Sequence, residues 1–205
     1  MSSKGTVWGM VAAACVGIWL VQNGAEDVTP PVPSSAEAFA AGPQRHTAPA
    51  AAPLGPSAPV RMRIPAIEVD APVMRLGLGA DGSLDVPPAG NRNMAGWYKD
   101  GTPPGARGTA IVAGHVDNAQ GPAVFYALGA LKKGHRVEVD RKDGRTAVFA
   151  VDAVEVYENE DFPDRKVYGA ADRAELRVIT CGGGFSKKTG YQGNVVAYAH
   201  LIGVR

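Results

Sequence analysis

From Val60 onward apolar and polar residues alternate with a period of two in one short stretch after another, and that period constrains the fold most. RMRIPAIEVDAPVMRLGL at 61–78 alternates and is interrupted by Pro65 and Pro72, as edge or bent strands are. GTAIVA at 108–113 is a continuous apolar run, the pattern of a buried strand. Residues 135–139 alternate, Asp143-Gly144 signals a hairpin, and TAVFAVDAVEVY at 146–157 alternates again. LRVIT at 176–180 and NVVAYAHLI at 194–202 complete the set, and PAVFYALGAL at 122–131 is the best helical segment. Six to eight strands with few helices imply a mainly β chain, closed or sandwiched, of about 145 residues.

The first 59 residues have a different texture. VWGMVAAACVGIWLV at 7–21 is unbroken by charge and follows Lys4. At helical rise it covers roughly 22 Å, and Gly5, Thr6 and the chain to Ala25 bring it near the ~30 Å of a hydrocarbon core. The positive amino end, followed by Glu26 and Asp27, orients it with the N-terminus inside. A transmembrane signal-anchor is therefore expected over 1–21, with a cleaved signal peptide as the rival reading. Residues 22–59 hold eight prolines, ten alanines and four charges, with no sustained apolar period. Such a stretch is expected to be a disordered, polyproline-rich tether with a reach of roughly 35 Å as a coil. It would hold a domain at 60–205 off the outer face of the membrane. Lys and Arg number 21 against 20 Asp and Glu, so no basic excess points to nucleic acid.

The two cysteines fall in different segments, Cys15 in the apolar run and Cys181 in the outer domain, and so cannot plausibly bridge each other. A lone thiol in a domain is most often a small buried hydrophobe. Cys181, however, ends a predicted strand and opens onto Gly182-Gly183-Gly184, where side chains become exposed and backbone can approach a ligand. A nucleophilic thiol needs a base or cationic partner. Of the four histidines, His46 is in the tether, His135 is at a predicted turn after two lysines, and His200 has no motif around it. His115 follows GTAIVAG and so stands, like Cys181, just past a hydrophobic strand.

IPAIEVDAPV at 64–73, GTAIVAGHVDN at 108–118, VFYALGALKKGHRVEV at 124–139 and LRVITCGGGF at 176–185 together resemble the sortases, membrane-anchored cysteine transpeptidases of Gram-positive surfaces. The last stretch stands where that family has its Leu-x-Thr-Cys signature, 66 residues after His115. The Trp-Tyr at 97–98, Pro-Pro-Gly at 103–105 and NVVAYAH at 194–200 look most like classes F and E, F preferentially.

The resemblance implies an eight-stranded sortase barrel with short helices. It makes Cys181 the nucleophile on the Thr–Gly bond of an LPxTG-like sorting signal, and His115 the acid and base. The acceptor would be a peptidoglycan-precursor amine, and the enzyme a monomer without cofactor. The family's arginine, which steadies the oxyanion and substrate, has no counterpart thirteen residues after the cysteine, where Asn194 stands. Arg177, on the strand face of residues 179 and 181, is the first candidate for that role and Asn194 the second. Thr180, Ile179, Gly182 and Phe162 are expected substrate contacts. Glu155, Glu158, Glu160 and Asp161 lack the spacing of a compact calcium loop, so no metal is expected. A cell-wall L,D-transpeptidase would put Arg after the cysteine, where Gly182 stands. A hydrolytic cysteine peptidase and a non-catalytic tethered interaction domain are the remaining rivals.

Overall fold

Eight strands pair into one closed barrel in the computed structural model, which describes residues 29–39, 48–80, 82–186, 188 and 190–205. The apolar run at 7–21, residues 22–28 and residues 40–47 with His46 lie outside the described residues. Among the described residues no helix is long and apolar enough to cross a membrane.

The strands are β1 (Pro59–Ile64), β2 (Val69–Leu76), β3 (Ala95–Tyr98), β4 (Gly108–Ala113), β5 (Asp117–Asn118), β6 (Gly121–Pro122), β7 (Arg136–Arg141), β8 (Thr146–Glu158), β9 (Ala174–Ser186) and β10 (Gly190–Val204). The barrel runs β1-β2-β3-β4-β9-β10-β8-β7, while β5 and β6 form a separate two-stranded ribbon. The β2–β3 and β4–β9 pairs are parallel and the rest antiparallel. The Asp143-Gly144 turn joins β7 to β8 as its sequence signals, with Gly144 at φ 80°.

Period two decides which side chains meet. On β9, Leu176 and Val178 enter the barrel and pack with Met62, Val112, Phe149 and Leu201. Each such side chain contributes roughly 1.5–3 kcal/mol by leaving water. Arg177, Ile179 and Cys181 share the opposite, outward face. Ile179 is covered there by a second cluster with Ile111, Val196, Tyr198 and Val167. Val167 belongs to the helix α1 (Asp164–Tyr168), so a one-helix outer layer seals part of the barrel wall. The Thr109 hydroxyl donates to the Gly169 carbonyl at 2.7 Å and ties the end of that layer to β4.

Two segments differ from expectation. PAVFYALGAL forms turns and a short 3₁₀ turn at Leu128–Ala130 in place of a helix. Its early N–H groups are drawn away: Ala123 and Phe125 donate to the carbonyls of Val116 and His115. A Cβ at Gly129 would lie 1.9 Å from the Pro31 carbonyl oxygen, so the segment also receives the incoming chain. That incoming chain is part of the stretch expected to be a tether. Residues 29–39 reach the barrel through Phe39, Glu37 and Lys133, and 48–58 wrap its base. There Ala51 N donates to Leu201 O, Leu54 N to Gly105 O, and Arg141 to the Gly55 carbonyl. Proline and alanine cannot build a core of their own, but they lend carbonyls and small apolar surface to one already built.

Candidate active site

The site begins where the parallel pair β4–β9 stops. Ala113 is in register with Ile179, Gly114 N donates to Ile179 O at 3.2 Å, and the buried Thr180 hydroxyl donates to Gly114 O at 2.8 Å. The paired register ends there: His115 stands two residues past the end of β4, and Cys181 two residues beyond Ile179 on β9, which runs on to Ser186. Both have outward-face parity. Thr180 therefore acts through the backbone: it grips the carbonyl immediately before the histidine. On the other side, Phe125 N donates to His115 O at 3.0 Å.

His115 is half-buried, and its Nε2 lies 2.6 Å from the Pro87 carbonyl. A carbonyl only accepts, so Nε2 carries a proton in either charge state and Nδ1 is left to exchange one with the thiol. Cys181 is exposed. Burial of its surroundings nonetheless pushes the thiol above the ordinary cysteine range, and the Asp117 carboxylate pushes it further, while its backbone N–H opposes both. The resting thiol is thus protonated near neutral pH, and His115 is the group in position to take its proton.

Two residues that the sequence reading did not single out complete the cluster. Asp117, two after His115 on β5, accepts a hydrogen bond from the Tyr191 hydroxyl at 2.5 Å. Tyr191 opens β10 opposite Phe185, whose ring it meets at 5.1 Å. Burial and Asp117 push the Tyr191 hydroxyl strongly up, so it stays a donor. The His-x-Asp triplet was visible in the sequence, but only the return of β10 beside β9 brings Tyr191 to it.

The candidates for the arginine role separate. Asn194 is the direct partner of Cys181 in the β9–β10 register and shares its face, with Nδ2 donating to Asn159 at 3.0 Å. Arg177 is four residues back along β9, about 13 Å from Cys181. It is buried, ion-paired with Glu175 at 2.6 Å, and lies over the Tyr198 ring at 4.6 Å. The arrangement does not bring Arg177 to the thiol, because a carboxylate and an aromatic face hold the guanidinium where it is. Among the described residues no arginine hydrogen-bonds or ion-pairs with Cys181, His115 or Asp117.

Gly182 pairs with Gly193, and a Cβ on it would meet a Val195 side-chain methyl at 2.4 Å, so the packed Val195 side chain leaves room for glycine there. Ile179 lies on the floor of the outward face, and Phe162 packs between Tyr157 and Tyr168, behind the wall that α1 makes. Glu155 is committed to this wall. Burial raises its pKa, yet Lys166, the Tyr157 hydroxyl and Phe39 N–H together hold it below the usual glutamate range. An apolar groove of about 650 Å³ lies on the same outward face, floored by Thr109 and Ile111 and walled by Leu78, Leu84, Tyr98 and Tyr168. Among the described residues no three His, Cys, Asp or Glu side chains gather in a way that could hold a metal.

A closed eight-stranded barrel with a cysteine within β9 and a histidine just past the adjacent parallel β4 defines a class, and residues 62–202 match the Sortase domain model. The chain belongs to the sortase family, whose known members are cysteine transpeptidases. No curated protein matches it. Sortase A of Listeria monocytogenes is similar in structure, with TM-score 0.54 at 18% identity over 73% of this chain and 90% of that one. Sortase C-1 of Actinomyces oris gives 0.54 at 20% identity over 71% and 75%. A sortase D5 transpeptidase of Clostridium perfringens gives 0.52 at 18% over 71% and 79%. The fold is therefore shared across several sortase classes.

Proposed function

We propose that this chain is a membrane-anchored surface transpeptidase, most like class F or E, that cuts an LPxTG-like signal between Thr and Gly. The cut protein is then joined to a peptidoglycan-precursor amine. The observation that supports the reading is the parallel β4–β9 register, which stops at Ala113 and Ile179, two residues short of His115 and Cys181, on the barrel face that holds the apolar groove. Ile111 is in register with Arg177, so the groove floor is about 13 Å from the thiol along the strands. An extended four-residue segment spans about the same length, so its first, apolar side chain reaches the groove when its last carbonyl reaches Cys181.

His115 Nδ1 takes the thiol proton as the sulfur attacks the threonine carbonyl carbon. Asn194 Nδ2, across from the sulfur, is the side-chain donor nearest the developing oxyanion, a role the reading assigns to it ahead of Arg177. The imidazolium then protonates the leaving glycine amine, and the C–N bond breaks to leave a thioacyl enzyme. An acceptor amine loses a proton to His115, attacks the thioacyl carbon and expels the thiolate. If the apolar run at 7–21 is an anchor, the site works outside the membrane on a tether partly strapped to the barrel.

Incubating the full-length chain with an LPxTG peptide library, with and without glycinamide, tests this. The expected result is a ligated product dependent on Cys181 and on the amine. Hydrolysis alone, with added amine ignored, would convert the reading to a peptidase; no Cys181-dependent product would end it.

A further inference from the structure

Asp117 works against the nucleophile. Its carboxylate raises the thiol's pKa, which lowers the thiolate fraction available for the first attack. Its geometry is built all the same. β5 carries it two residues beyond His115, and Tyr191, arriving from β10, fixes one carboxylate oxygen at 2.5 Å. Among the described residues no lysine, arginine or histidine ion-pairs with it. Beside it the Tyr126 hydroxyl is buried without a hydrogen-bond partner, and its pKa is raised by burial and by Asp117. The site thus presents one free carboxylate oxygen able to accept, with the Tyr126 hydroxyl sealed behind it, while Arg92 spends its guanidinium on the Pro122 carbonyl opposite Asp117.

We propose that Asp117, oriented by Tyr191 and flanked by Tyr126, is the docking site for the ammonium group of the acceptor substrate. An ammonium brings hydrogen-bond donors and one positive charge, matching the free Asp117 oxygen and its unpaired negative charge. The inference rests on the transpeptidase reading and names the second substrate's chemistry. The docked R–NH3+ gives one proton to His115 Nδ1, and the freed nitrogen lone pair attacks the thioacyl carbon. A C–N bond forms, the C–S bond breaks, and the sulfur leaves with its electron pair. The second N–H proton goes to that sulfur by way of His115, leaving an amide, a thiol and one proton for solvent. The same charge repels a carboxylate, so the site prefers an amine whose own carboxylate is masked or distant, at a peptide end or a side chain.

The test loads the full-length chain with a peptide α-thioester, which acylates Cys181 by thiol exchange and does not depend on the sorting signal. Release by glycinamide, glycine and hydroxylamine is then measured at pH 7.5, where hydroxylamine is neutral. The wild type is expected to favour glycinamide over glycine. Asp117→Asn lowers the glycinamide-to-hydroxylamine ratio of kcat/KM about tenfold and erases the preference over glycine. Tyr191→Phe, which keeps the charge but not its orientation, moves the ratio the same way by less. An unchanged ratio in Asp117→Asn, or a wild type indifferent between glycine and glycinamide, overturns the proposal. A parallel loss with all three nucleophiles also overturns it, by making Asp117 structural. If the LPxTG library fails while thioester loading and amine discrimination succeed, only the donor reading falls.

Discussion

Position in the sequence singled out Cys181 and His115 as candidates, and their roles came from the resemblance; His115 does follow a strand, but β9 runs on to Ser186, so Cys181 lies within its strand and not beyond it. What could not be read was which neighbours touch them, because those contacts join residues far apart in sequence. Arg177 illustrates the limit. Strand parity correctly sets it on the face of Cys181, but parity does not report the Glu175 carboxylate that holds it or the four residues of strand between. Arg177→Ala should therefore lower thermal stability by about 1–2 kcal/mol, because the half-buried Glu175 keeps its ion pair with Arg173, and leave kcat near normal below the melting range. Asn194→Ala should lower kcat on the order of 10²-fold with little change in melting temperature. Thr180→Val strands the Gly114 carbonyl, which should cost about 1–3 kcal/mol and lower kcat by shifting His115. Because burial and Asp117 raise the Cys181 thiol, its iodoacetamide reactivity should rise with pH to an inflection above that of an ordinary cysteine. Asp117→Asn should move the inflection down.

A range of six to eight strands and the Asp-Gly hairpin followed from period two and turn chemistry, but closure into a barrel rather than a sandwich did not, and the short β3 carries no alternation to announce it. The 122–131 segment was not: its spacing is helical, yet its backbone donors serve the chain on either side of His115. Local pattern lost there to tertiary hydrogen bonding. The α1 wall depends on a similar long-range tie. Lys166 sits 2.5 Å from Glu155 and 4.8 Å from the Phe39 ring, and Phe39 meets Tyr198 edge-on at 4.9 Å. Phe39→Ala should release residues 29–39 and speed hydrogen exchange across 164–168, with a higher peptide KM. The folded Glu155 has a depressed pKa, so its contribution is complete above the ordinary glutamate range and lost as pH falls through the lower folded value. Exchange in α1 should accordingly accelerate below about pH 4 in the wild type, and Glu155→Gln should show that acceleration already at neutral pH.

At the scale of the molecule, the boundary between tether and domain moves. Composition sets it at Val60, where proline and alanine give way to alternation. Hydrogen bonds set it earlier, since 48–58 supply partners to Leu201, Gly105, the buried Arg141 and Lys142. A chain beginning at residue 60 should melt at least about 5 °C below one beginning at 29, measured by thermal unfolding. Residues 48–58 are thus strap rather than free tether. All of this bears on function through one event, the acylation of Cys181 by a sorting peptide. Intact-mass measurement of the full-length chain after mixing with LPxTG peptides tests it directly. The account predicts an adduct equal to the peptide up to threonine on the wild type, none on Cys181→Ala, and its discharge by added amine. Peptide cleavage that survives Cys181→Ala, or no adduct with any peptide tried, would contradict it.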